Sequence, residues 1–203
     1  MKKGGDAMLH ITDKRIVRSK MALKQSFLSL LENKKFKHIT ITEIVEKANY
    51  NRGTFYAHFE SKEDLLQEII QDVLKEMIHQ IKVPYQSMNK VNMRDLPIED
   101  ITLFSYFKEN ERLFKILLSN HIQIDFRYQI AKAIEEQLFI KEYEYVLEQE
   151  TELDLKWLYI YRAHGIAGMI IRWIEEDFST SPEDMSKQVV ELMLTSTDKF
   201  IVK

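Results

Sequence analysis

The chain has 203 residues, a net charge of −3 and no cysteine. That length allows one large or two small domains with a sizeable core, and the absence of thiols excludes disulfides and thiolate chemistry. No apolar run reaches the length of a membrane span and MKKGGDAML lacks an apolar signal core, so a soluble, cytoplasmic protein with no membrane partner is expected. Charge is uneven: residues 1–66 hold 13 Lys and Arg against 8 Asp and Glu, and the remainder holds 16 against 24. A basic head on an acidic body fits a polyanion bound at one end.

Five glycines in the whole chain, together with long apolar stripes of helical period, predict an all-α fold. Residues 1–10, which contain Gly4 and Gly5, are expected to be flexible. A first helix is expected over Asp13–Glu32, with Leu23, Phe27, Leu30 and Leu31 on one face. Thr40 and Glu43 have capping-box spacing, and Ile41, Ile44, Val45 and Ala48 follow as one buried stripe, so a second helix starts there. Asn49 ends it, Asn being one of the few side chains that accept a left-handed backbone. Asn51 caps a third helix that turns Phe55 and Phe59 inward and leaves Arg52, Thr54, Tyr56 and His58 outside. A short helix that buries two aromatics and presents a row of hydrogen-bonding groups suits a DNA major groove. Ser61 and the acidic Glu63 and Asp64 open a fourth helix carrying Leu66, Ile69, Ile70, Val73, Met77 and Ile81 inward.

Pro84 and Pro97 bracket a polar loop. Helices are then expected over Ile98–Phe107, Glu111–Ser119, Ile124–Glu148 and Leu153–Glu176, and Ser181-Pro182-Glu183-Asp184 opens the last. The total is about nine.

The segment ITITEIVEKANYNRGTFYAHFESKEDLL resembles the DNA-binding domain of TetR-type bacterial transcriptional regulators. Its T-x-x-E, T-F-Y-x-H-F and S-K-x-x-L elements occur in order at fitting spacing. Asn49-Tyr50 departs from the Gly and small aliphatic residue usual there. The resemblance implies a helix-turn-helix DNA-binding domain over residues 1–62 and a helical effector-binding and dimerisation domain over 63–203. It also implies a homodimer on a palindromic operator in double-stranded DNA, most simply a repressor answering a small-molecule effector. The segment AHGIAGMIIRWIEEDFSTSPEDM is similar to the penultimate helix and following turn of one branch of that family.

Within the head, Arg52 and Thr54, with Asn51 at the helix start, are the candidates for reading base edges, because Arg matches guanine O6 and N7 and Thr offers a hydroxyl and a methyl. Gly53 would permit close approach to DNA. Tyr56, His58 and Lys62 are candidate phosphate binders, a role the resemblance also implies, and Thr42 is a further donor at a helix start. For His58 a partly buried structural role stands level with phosphate binding.

In the body, Gly165 and Gly168, with Ala163 and Ala167, make one side of the penultimate helix small, and the last helix is apolar on two faces, with Phe200 continuing one of them. Together with the family's pairing of its last two helices, this points to a subunit interface including Gly165, Gly168, Met169, Trp173, Val189 and Met193. Internal packing is the alternative. Body aromatics such as Phe104, Phe107, Phe114, Phe126, Tyr128, Phe139 and Tyr143 are core candidates first, some lining an effector pocket by analogy. His121, Arg162 and His164 are polar groups suited to orient a ligand. His121 and Asp125 supply at most two ligands of an ion, and no P-loop, H-E-x-x-H, nucleophile elbow or dinucleotide fingerprint occurs, so neither a metal, a cofactor nor an enzyme is expected. The alternative function is a co-regulator or activator on the same scaffold whose main partner is a protein or ligand.

Overall fold

The computed structural model describes residues 5–86, 88, 91–92, 94–122, 124–137 and 152–195, and of 5–13 the backbone alone. Among these residues there are nine α-helices and no strand. They are α1 (Gly5–Leu31), α2 (Ile41–Lys47), α3 (Arg52–Tyr56), α4 (Lys62–Lys82), α5 (Leu103–Glu109), α6 (Glu111–Leu118), α7 (Phe126–Ile134), α8 (Leu155–Glu175) and α9 (Pro182–Leu194). The chain forms two compact units, Met1–Asp72 with Ser119–Ile124, and Val73–Leu118 with Asp125–Lys203. Their boundary falls inside α4, not at its start, and the turn after α6 belongs with the first unit.

In the first unit, Leu23, Phe27 and Leu31 of α1, Ile44 and Val45 of α2, Phe55 of α3, Phe59, and Leu65, Leu66, Ile69 and Ile70 of α4 are all buried. Each such side chain withdraws enough apolar surface to be worth about 1.5–3 kcal/mol, which lets helices as short as α2 and α3 persist where neither would alone. Their ends are fixed locally. The Thr40 side chain accepts from the Glu43 amide while the Glu43 carboxylate accepts from the Thr40 amide, a complete capping box. Asn49 takes φ 56°; beside it the Tyr50 amide donates to the Val45 carbonyl and the Asn49 amide to Glu46. Together these bonds make a Schellman closure built on Asn instead of Gly. Tyr50 is half-buried there.

The second unit is organised around aromatic rings. Phe104, Phe107, Phe114 and Phe126 are at most 1% exposed, and Phe107 and Phe114 lie 4.5 Å apart. α7 and α6 pack on α8, and α5 on α9. α8 ends like α2: the Phe178 amide donates to Trp173 and the Asp177 amide to Ile174, with Asp177 at φ 61°. The Phe178 ring closes on Trp173 at 4.7 Å, the hydrophobic contact that accompanies such a stop.

Three boundaries differ from expectation. α1 begins at Gly5 instead of Asp13, because nothing between the two interrupts helical geometry. α5 begins at Leu103 and not at Ile98: extended Pro97 and Ile101 isolate Ile98–Asp100 as a single 3₁₀ turn. α7 starts at Phe126, where the Asp125 carboxylate accepts from the Tyr128 amide, and a wider π-type turn follows over 135–137. The expected remainder of that helix, with Phe139 and Tyr143, lies outside the described residues, as does Phe200.

Candidate nucleic-acid interface

α3 exposes Asn51, Arg52, Gly53 and Tyr56 and half-buries Thr54, while Phe55 is wholly inside. The buried ring fixes the rotation of the helix, so the exposed row is a consequence of core packing. Asn51 caps α3: its Oδ1 accepts from the Thr54 amide at 2.9 Å and from the Thr54 hydroxyl at 3.3 Å. Both groups are thereby committed to each other in the free protein. At Gly53 a Cβ would stand 3.2 Å from that same capping oxygen, so glycine here keeps room for the cap.

Arg52 donates through Nη2 to the Thr42 hydroxyl. Two expected DNA contacts on different helices thus meet, and the guanidinium is held at the start of the exposed row with its other donors available. Tyr56 is 56% exposed, its ring edge-on to Phe55 at 5.6 Å, which directs the hydroxyl outward from a rigid base. Arg52, Thr42 and Tyr56 together form the part of the predicted set with free hydrogen-bonding capacity.

His58 and Lys62 are used differently. The His58 Nε2 lies 2.7 Å from the Ser19 hydroxyl of α1. Burial first, and then the Lys20 ammonium, hold its imidazole below the ordinary value, against the opposing pull of Glu68. The structural role is the one this geometry supports. Lys62 gives two donors inward, to the carbonyls of Phe36 at 2.9 Å and Ile39 at 2.8 Å, and sits 4.5 Å over the Phe36 ring. It satisfies the end of the 3₁₀ turn Phe36–His38 and leaves one proton for an outside partner.

Sequence reasoning overlooked three supports. Lys34 reaches Glu43 at 2.5 Å, and this bond, followed by those from Thr40, pulls the Glu43 carboxyl down to about 2. Lys20 and Lys24 of α1 pair with Glu68 at 2.6 and 2.5 Å, and Lys24 with Asp72 at 2.5 Å, tying α1 to α4. Desolvation opposes the charge on Lys24, but the bonds from Asp72 and Glu68 outweigh it and raise its pKa. Ser19 is a buried polar residue one helical turn before Leu23, and that position on the apolar stripe was the available signal. His121 was expected near a ligand. It belongs to the first unit instead, its Nδ1 2.7 Å from the Leu31 carbonyl and its own carbonyl accepting from the Phe36 amide at 2.7 Å. Asp125, in the second unit, caps α7 through Oδ1, which accepts from the Tyr128 amide at 3.0 Å.

Among the candidate interface residues of the second unit, Trp173 is corrected to core. It is 3% exposed, edge-on to Phe104 and Phe178, with its indole N–H donated to the Thr180 carbonyl. Gly165 and Gly168 are exposed, and a Cβ on either meets nothing within 4 Å. Met169, Val189 and Met193 are half-buried.

A capped two-helix turn that presents Arg, Thr and Tyr on a basic head defines a helix-turn-helix DNA-binding protein. The family models agree: residues 28–69 match "Bacterial regulatory proteins, tetR family" and residues 101–195 match "Transcriptional regulator C-terminal region". The chain belongs to the TetR family of DNA-binding transcriptional regulators. It is 28% identical over 172 residues to the uncharacterized HTH-type transcriptional regulator YxbF of Bacillus subtilis, covering 84% of this chain but only 43% of that one. It is 23% identical to the dhaKLM operon transcriptional activator DhaS of Lactococcus lactis, covering 92% and 94%. The fold is shared with NalD, the secondary repressor of the MexAB-OprM multidrug efflux pump in Pseudomonas aeruginosa (TM-score 0.60, 17% identity, 89% and 96% covered). It is shared too with FadR of Bacillus subtilis in complex with stearoyl-CoA (TM-score 0.57, 16% identity, 88% and 99% covered). Among the described residues no helix is long and apolar enough to cross a membrane.

Proposed function

We propose that the chain is a cytoplasmic, non-enzymatic repressor that binds a near-palindromic operator as a homodimer and answers a small-molecule effector held by its second unit. The observation that carries the reading is the rigidly capped row Arg52, Gly53, Tyr56 with Thr42 beside it. Those groups suit base edges and flanking phosphates, and a helix-turn-helix pair on a two-fold axis reads two half-sites one DNA turn apart. Exposed Trp157 and Tyr161, at 60% and 77%, and the open Gly165 and Gly168 on α8 support a second copy against that face. The names of NalD, a repressor, and of FadR, solved with an acyl-CoA, favour repression and an effector. A duplex selected from a random pool by the chain itself, placed before a reporter, tests the reading: expression should fall. The effector must bind with and without that duplex at affinities differing by a factor that the duplex returns, typically about 1–3 kcal/mol of coupling. A candidate with equal affinity in both states is not the effector.

The similarity to DhaS, named an activator, favours a second reading, a co-regulator or activator on this scaffold. The same reporter separates the two. Expression rising, or regulation that survives Arg52→Ala, selects the second.

A further inference from the structure

α1 starts well before the first of its described buried side chains: among the side chains described, residues 14–18 are all exposed and Ser19 is the first that is buried. The backbone from Gly5 to Arg18 is helical and spans about 21 Å at 1.5 Å per residue, more than half of a DNA turn. It departs from the core at the point where Ser19 meets His58, two residues beyond the end of α3. Arg15 lies one helical turn before Ser19, its carbonyl accepting from the Ser19 hydroxyl at 3.0 Å, so the stripe that touches the reading helix's exit continues onto Arg15. Arg18 adjoins it. Lys20 and Lys24, two and six residues beyond Arg18, are neutralised by Glu68 and Asp72. Among the described residues Arg15 and Arg18 have no carboxylate partner. Arg15 and Arg18 are therefore exposed guanidinium groups without a described carboxylate partner, on the turn of α1 next to the point where Ser19 meets His58.

We propose that Arg15 and Arg18 make a second set of contacts, to the DNA backbone flanking the half-site that α3 reads. This rests on the DNA-binding reading of the head and adds to it a footprint wider than the helix-turn-helix itself. Two guanidinium groups three residues apart on one helix, set against phosphates, would displace counterions without reading sequence.

The test uses the full chain, a duplex selected from a random pool by that chain, and a scrambled duplex, each titrated at several salt concentrations. Arg15→Ala/Arg18→Ala should reduce the slope of log affinity against log salt by about 1.8 per bound subunit, at about 0.9 per phosphate contact. Affinity should fall by a similar factor on both duplexes, so that their ratio is unchanged, and the hydroxyl-radical footprint should shorten at its outer flanks. Arg15→Lys/Arg18→Lys should restore the slope, which separates lost charge from lost folding. An unchanged slope and footprint in the Ala pair, with Arg52→Ala still losing discrimination, would overturn the proposal alone. A wild-type chain that selects no duplex would overturn the DNA-binding reading and this proposal with it.

Discussion

Ser19 and His58, 39 residues apart in sequence, meet with 2.7 Å between hydroxyl oxygen and Nε2. The Ser19 hydroxyl donates to the carbonyls of Arg15 and Ile16, each at 3.0 Å, so its oxygen is left to accept from the His58 N–H. The contact anchors the end of the reading helix to α1.

The His58 pKa is lowered on folding, by burial and then by Lys20, with Glu68 opposing. The folded state therefore holds this proton less well than the unfolded chain does. Stability from the neutral imidazole is complete above the unfolded value of about 6.5 and is lost as pH falls below it toward the lower folded value. Denaturant midpoints of wild type and His58→Gln, compared at pH 7.5 and pH 5.5, should show the larger drop in wild type. Equal drops would mean that His58 carries no linkage.

Glu43 responds in a lower window. Its carboxyl, held at about 2 by the Lys34 bond and then by Thr40, supports the capping box from above the ordinary carboxylate range and loses that support as pH falls toward 2. Thr40→Ala, which removes the side-chain acceptor of the same box, should cost about 0.5–2 kcal/mol at neutral pH. Urea melts monitored by helical signal measure it directly.

Arg52→Ala and Lys62→Ala should separate recognition from support. Loss of the Arg52 fork should cost about 1–3 kcal/mol on a selected duplex and relax base preference, with little effect on unfolding. Tyr56→Phe should weaken selected and scrambled duplexes alike. Lys62→Ala removes the cation that holds the Phe36 and Ile39 carbonyls, and should lower stability by about 1–3 kcal/mol as well as weaken binding. Paired melting and binding titrations decide, and a Lys62→Ala chain as stable as wild type would make Lys62 a surface contact only.

Gly168→Leu places its side chain in open space in the single chain. Folding should be unaffected, whereas a subunit packed on that face would meet an overpacked seam, at a cost of about 1–3 kcal/mol. Sedimentation across a micromolar concentration series should show weaker association in the variant. An unchanged dimer would move the interface elsewhere.

The helical class, the capping box at Thr40 and Glu43, the Asn49 stop and the exposed row on α3 were legible in the sequence, because each depends on side chains and backbone within a few residues. Local chemistry also placed the starts of α4 and α9 within a residue of Ser61 and Ser181. The intramolecular partners of Lys62, His58, Trp173 and His121 were set only by tertiary structure. Lys62 and His58 share the exposed-looking pattern of the other candidate DNA contacts, and only the fold brings Phe36, Ile39 and Ser19 from elsewhere in the chain to their hydrogen-bonding groups. Trp173 belongs to the same apolar helix as Gly165 and Gly168, and only the packing of Phe104 and Phe178 turns it inward. His121 is separated from Leu31 by 90 residues, and no periodicity within either segment records that they meet. A residue's type and spacing state which bonds it can make. The partner that uses them is set by the fold.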